Sequence, residues 1–229
     1  MAGLVINTAE TEYAITLAEL KAQVKVEDSN DDTVLTIIQK ASHAWAREYT
    51  QRSLTTRTLE LFIDSVYPKD KVLKEGIYLG VDLDLTRRGI GLPFSPVASV
   101  TSVQSFDDSN NATTFVSTKY HLDSASVPSK VVLKNGENFP TATRAVNGIK
   151  VTYVAGYGAS SAVPQDIKSA CLIYGAYLYE HRGDRVFSGA DHVQSAPYIA
   201  TQLLQPYRVY NLGRFPYEGM HVATNRGIY

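Results

Sequence analysis

Asp28, Asn30 and Asp32 stand at the alternating positions from which a calcium loop offers its first oxygen ligands. Such a loop also needs glycine at its sixth position and a bidentate glutamate at its twelfth. Thr33 and Gln39 occupy those places, so the run reads instead as the cap of the helix that follows. Gly156-Tyr157-Gly158, after a strand pattern and before a helix pattern, offers two of the three glycines of a dinucleotide-binding turn. Ser161 takes the third place, Ala162-Val163-Pro164 intervenes, and no second strand–helix unit follows to supply an acidic ribose ligand. The reading is a plain strand-to-helix turn. His43, His121, His181, His192 and His221 are never paired at metal-ligand spacing. No nucleophile-elbow, zinc-protease or phosphate-loop pattern is present. Carboxylates are plentiful, but none is singled out by its neighbours for acid–base work. The expectation is no enzyme, with no catalytic residue, no metal and no cofactor.

What remains are residues suited to gripping another protein. Tyr207, Arg208, Tyr210, Arg214, Phe215, Tyr217, Arg226 and Tyr229 crowd the last 23 residues, which hold no sustained period of 2 or 3.6. Tyrosine and arginine are enriched at interface hot spots. A stretch of this composition cannot bury its own aromatics, so it is expected to order against a partner. A second candidate surface is the flank Leu172, Ala176 and Tyr179 of a late helix, expected to face a neighbouring subunit or another helix of the fold.

That helix belongs to the stretch around which the chain is organised. Ile149 to Val154 is β-branched and aromatic, as a strand should be. Val163-Pro164 then opens a helix, since proline loses no hydrogen bond in a first turn. Ile167, Cys171, Tyr174 and Leu178 give it one apolar face, and His181, Arg182 and Gly183 close it. Upstream, residues 1–14 read as an extended arm. Thr16 and Glu19 form a capping box that opens a helix from Leu17 to about Val26. A second helix is expected from about Asp31 to Ser53, with Val34, Ile38, Ala41, Trp45 and Tyr49 on its apolar face. Between Thr55 and Val154 the pattern is short strands and turns. Thr58 to Ile63, Val81 to Leu85, Ser99 to Val103, Phe115-Val116, Tyr120 to Leu122 and Lys130 to Leu133 read as strands, with a hairpin tip at Asp107 to Asn111. Pro197 starts a short last helix and Pro206 ends it.

The predicted fold class is therefore α+β. A small helical bundle, two N-terminal helices at about 16–54 plus a late long one at 164–183, carries an inserted antiparallel β module at about 55–155. Residues 1–183 make the main domain, and 184–229 a short helix and an extended C-terminal docking tail. The 229 residues suffice for one large or two small domains. A formal net charge of −1 argues against a dedicated nucleic-acid binder. Cys171 is the only cysteine, which rules out an intramolecular disulfide. The apolar run Leu4-Val5-Ile6 is far too short for a signal peptide or a membrane span, so a cytoplasmic protein is expected.

The order and spacing of several segments carry a resemblance. These are the Thr16–Glu19 helix, the acidic break, and the Trp45–Tyr49 helix ending in Thr50-Gln51-Arg52-Ser53-Leu54. Leu92-Pro93, Pro96-Val97 and Ser99-Val100 follow, then Val151 to Gly158, Val163-Pro164, Tyr179-Glu180-His181-Arg182 and Leu203 to Val209. Together, over about residues 14–210, they resemble the head–tail connector family of tailed phages, also called adaptor or head-completion proteins. The resemblance implies a structural virion protein at the neck, present in the host cytoplasm before assembly. It implies a ring of about twelve copies beneath the portal protein, joined to a tail or neck protein. Double-stranded DNA would pass through its channel without specific binding, and no membrane is involved. The Tyr67–Arg88 excursion and the tail beyond Val209 are longer than the family pattern. An alternative from the residues alone is a hydrolase or carbohydrate-binding module built on the β region.

Overall fold

The structure, a computed structural model, describes residues 2–8, 10–64, 89–140, 142–181, 197–209 and 222–223. The chain divides into two compact units: a β unit of residues 1–9, 57–156 and 210–229, and a helical unit of residues 10–56 and 157–209. The chain passes between them four times.

The β unit holds β1 (Ala2–Ile6), β2 (Arg57–Ile63), β3 (Gly89–Gly91), β4 (Val97–Phe106), β5 (Ala112–Phe115), β6 (Tyr120–Asp123), β7 (Lys130–Leu133), β8 (Ile149–Ala155) and β9 (Val222–Ala223). Six of them form one sheet in the order β5-β4-β8-β2-β1-β9, and three form another in the order β3-β7-β6. The period-2 pattern of β2 is complete in burial. Arg57, Leu59, Leu61 and Ile63 are buried, and Thr58, Glu60 and Phe62 are half-buried. Register places Leu59 opposite Tyr153 and Leu61 opposite Val151, so one sheet face supplies the core. Tyr153 is fully buried, and its hydroxyl donates to the Pro93 carbonyl at 2.9 Å, which removes the cost of hiding it. Arg57 lies over the Phe94 ring at 4.8 Å.

Two expectations are corrected in this unit. The first residues are no free arm. Ala2–Ile6 pairs antiparallel with β2 along its whole length, because its β-branched and aliphatic residues find an unpaired edge there. The far end of the chain also returns to this sheet, Val222–Ala223 pairing in parallel with Leu4–Val5. The expected strand at Val81 to Leu85 lies outside the described residues.

The helical unit contains α1 (Leu17–Val24), α2 (Asp32–Thr50), α3 (Gln165–Glu180) and α4 (Tyr198–Leu204). α3 packs against α1, α2 and α4. The capping box that opens α1 is formed: Thr16 N–H donates to Glu19 Oε2 at 2.6 Å, and Glu19 N–H to Thr16 Oγ1 at 3.2 Å. The apolar face expected for α2 is rotated. Val34 and Ala41 are exposed, whereas Leu35, Ile38, Ser42 and Ala46 are buried together with Gln39, His43 and Thr50. An apolar count passes over these polar residues, yet each has a partner. Gln39 Nε2 donates to the Ile15 carbonyl at 2.6 Å, and Thr50 Oγ1 to that of Ala46 at 2.7 Å. The α+β class and the antiparallel β module are as predicted.

Candidate functional site

The acidic break before α2 is built for structure. Lys21 Nζ donates to the Asp28 carbonyl at 2.6 Å and to Asp32 Oδ1 at 2.7 Å, so the would-be ligands are tied to a cation of the chain itself. Asp31 is the N-cap but makes no side-chain cap bond, which corrects the capping reading. Its carboxylate instead accepts the hydroxyl of Tyr179. Among the described residues, no group of three or more His, Cys, Asp or Glu side chains could hold a metal. Gly156 and Gly158, both at φ 126°, form the turn at which the chain leaves the β unit.

A buried polar cluster is the feature that sequence reading missed. Ala14 N–H donates to His43 Nδ1 at 2.9 Å, so the ring proton sits on Nε2, 3.2 Å from Glu10 Oε2. Arg47 Nη1 reaches the same oxygen at 3.0 Å, and Tyr13 packs edge-on against the imidazole. The three charged or chargeable side chains come from positions 10, 43 and 47, so no local motif announces them. A groove of about 600 Å³ lies beside Ile15 in this unit, with Tyr13, Glu12, Glu19, Gln39 and Lys168 among its lining. Its carboxylates are already engaged: Glu12 accepts Ser160 N–H at 3.0 Å, and Glu19 closes the capping box. That bond to the Thr16 backbone holds the Glu19 carboxyl below the usual glutamate range. Cys171, wholly buried, has its thiol pushed up to about 12 by desolvation, which suits a small core residue and no nucleophile.

The residues expected to grip partners fall into three groups. Tyr207 and Arg208 are engaged within the helical unit. Tyr207 donates to Asp166 Oδ2 at 3.0 Å, its carbonyl accepts Arg52 Nε at 2.6 Å, and Arg208 lies over the Tyr49 ring at 5.2 Å. Burial, then the bond to Asp166, raises the Tyr207 pKa. Tyr210, Arg214, Phe215, Tyr217, Arg226 and Tyr229 lie outside the described residues. Leu172, Ala176 and Tyr179 are half-buried, with Leu172 and Tyr179 packed on the helical core.

Most of the apolar surface left to water lies elsewhere. Tyr49, Trp45, Tyr174, Tyr177 and His181 form a ladder of five rings across α2 and α3 with successive centroids 4.2–6.4 Å apart. Beside it on α2, Val34 and Ile37 are exposed, Ile37 to 63 %. On α4, Tyr198 and Ile199 are exposed to 75 % and 65 %. An arrangement with engaged carboxylates and bare apolar patches equips the chain for association.

No protein-family model and no curated protein matches the sequence. Solved structures do. A chain from the neck of an empty gene transfer agent (GTA) particle, computed with C6 symmetry, superposes with a TM-score of 0.67 at 20 % identity, over 91 % of this chain and 96 % of that one. A chain of the virion of a native gene transfer agent particle gives 0.67 at 19 %, and one from the neck of a native particle, computed with C12 symmetry, gives 0.66 at 22 %, with the same coverages. The two-unit fold is thus shared with chains of these particles.

Proposed function

We propose that the chain is a structural neck protein of a phage-like particle, a connector (adaptor) that joins a DNA-filled head to its tail. The observation that carries this is the superposition of both units, nearly end to end, on a single chain from such necks. The reading extends to a twelve-membered ring beneath the portal, in keeping with the C12 symmetry of one of those necks. Its place is then the virion neck, with the host cytoplasm before assembly. A net charge of −1 suits a conduit through which DNA slides without being held.

In this reading the tail residues Tyr207, Arg208, Tyr210, Arg214, Phe215, Tyr217, Arg226 and Tyr229 dock on portal or on the next subunit. The flank of Leu172, Ala176 and Tyr179 contributes to the margin between subunits. No turnover of substrate is part of the role. Negative-stain imaging of the purified chain mixed with portal rings tests it: added density capping the portal is expected. Chains that remain monomeric and never associate with portal would overturn the reading.

A further inference from the structure

We propose that the helical unit closes the ring through two unlike apolar patches, α4 of one copy docking against α2 of the next. This rests on the ring reading above. A cyclic assembly larger than a dimer is heterologous: each contact joins one face of a subunit to a different face of its neighbour. A single exposed patch therefore cannot build it, and two distinct ones are required.

The helical unit meets that requirement. Among its described residues, the exposed large apolar side chains are Val34 and Ile37 on α2 and Tyr198 and Ile199 on α4. Both helices are seated on α3, so each patch stands on a fixed platform. Val34, Ile37 and the exposed Ala41 follow at i, i+3 and i+7 and form one stripe. It runs off the flank of the buried face on the side of Trp45, whose ring continues onto Tyr174 at 4.2 Å. That makes a broad apolar seat with a small residue at its middle. α4 offers the counterpart, a branched side chain and an aromatic at the start of a short helix. Exposed Thr33, Lys40 and Gln202 give both patches a polar rim, the usual setting of a hot-spot centre.

The two patches are also separate along the chain path. α2 and the segment after α4 meet where the Tyr49 hydroxyl donates to Gln205 at 2.9 Å. Ile37 lies twelve residues back along α2 from that point, about 18 Å at the helical rise.

The test uses two variants, Ile37→Glu and Ile199→Glu, read by native mass spectrometry and sedimentation, alone and with portal rings. Both side chains face water, so far-ultraviolet dichroism and the melting temperature should match wild type; should either glutamate variant fail that check, Ile37→Ser and Ile199→Ser replace the pair. Wild type is expected to form rings. Each variant alone should stay monomeric at a hundred times the concentration at which wild type assembles. An equimolar mixture should yield a 1:1 dimer that grows no further, because each partner retains the patch the other lacks. A single chain carrying Ile37→Lys and Ile199→Glu should regain assembly, weakened by salt. Single variants that still close rings, or a mixture that yields no dimer, overturn the two patches and leave the ring reading standing. Wild type that stays monomeric with and without portal overturns both.

Discussion

Leu20 Cδ1 lies 2.9 Å from the point where a Cβ on Gly175 would stand. Mid-helix glycine costs about 1 kcal/mol relative to alanine, so α3 gives up local stability to bring α1 within reach. Leu20 is fully buried and cannot swing away. Overpacking of about 1–3 kcal/mol should therefore outweigh the propensity gain. Gly175→Ala is expected to lower the melting temperature, and adding Leu20→Ala should recover none of the lost contact but should make the second glycine substitution nearly neutral. A stabilised Gly175→Ala protein would show that α1 yields.

Gly148 is a harder case. An added Cβ would stand 2.6 Å from Ala142 Cβ and 2.7 and 2.8 Å from the carbonyl oxygens of Asp64 and Arg144. Backbone oxygens cannot rotate aside, so Gly148→Ala should cost at least about 2–3 kcal/mol, measured by denaturant unfolding. Gly136→Ala, with open space but φ +81°, should cost only about 1 kcal/mol.

His43 is expected as the Nε2–H tautomer, which nitrogen chemical shifts of the labelled ring would report directly. His43→Phe keeps the ring volume and the contact with Tyr13 but strands the Ala14 N–H, and should cost about 1–3 kcal/mol. An Nδ1–H ring would contradict the bond from Ala14.

The Glu19 capping box has a pH signature. The carboxyl titrates lower folded than unfolded, so its stabilisation is present above the ordinary glutamate range and is lost as pH falls through the folded pKa. Glu19→Ala should cost a few tenths to about 1 kcal/mol at pH 7, the modest scale of an exposed cap. The gap between the two proteins should shrink toward zero at pH 3. A gap independent of pH would place the contribution elsewhere.

Cys171 should resist thiol reagents at pH 8 in the native state and react completely in denaturant, given its burial and raised pKa. Labelling of native protein at the rate of a free thiol would mean that α3 opens.

Local signals were legible where they are self-contained. The Thr16–Glu19 box, the Asp107–Asn111 hairpin tip, whose Asp107 carboxylate accepts the Asn111 N–H at 2.8 Å, and the proline-opened α3 could all be read from neighbours in the chain. Features that join distant positions could not. The rotation of α2 depends on Gln39 finding the Ile15 carbonyl and on His43 finding Ala14, 24 and 29 residues away. The tight seat at Gly175 depends on Leu20, and spacing alone puts Tyr174 and Leu178 on the buried face, where Ala170 and Gly175 stand beside Ile167 and Cys171. The interface candidates on α4 escaped notice because Ile199 in a seven-residue helix reads as core until its exposure is known.

The four passages of the chain between its units have a mechanical consequence. Traction on one unit reaches the other through covalent connections at 9–10, 56–57, 156–157 and 209–210, all in parallel. A protease nick at any one of them leaves three intact. A protein of two domains joined by a single linker would part at the first cut; this one must be severed four times before a pull along the particle axis could draw its halves apart.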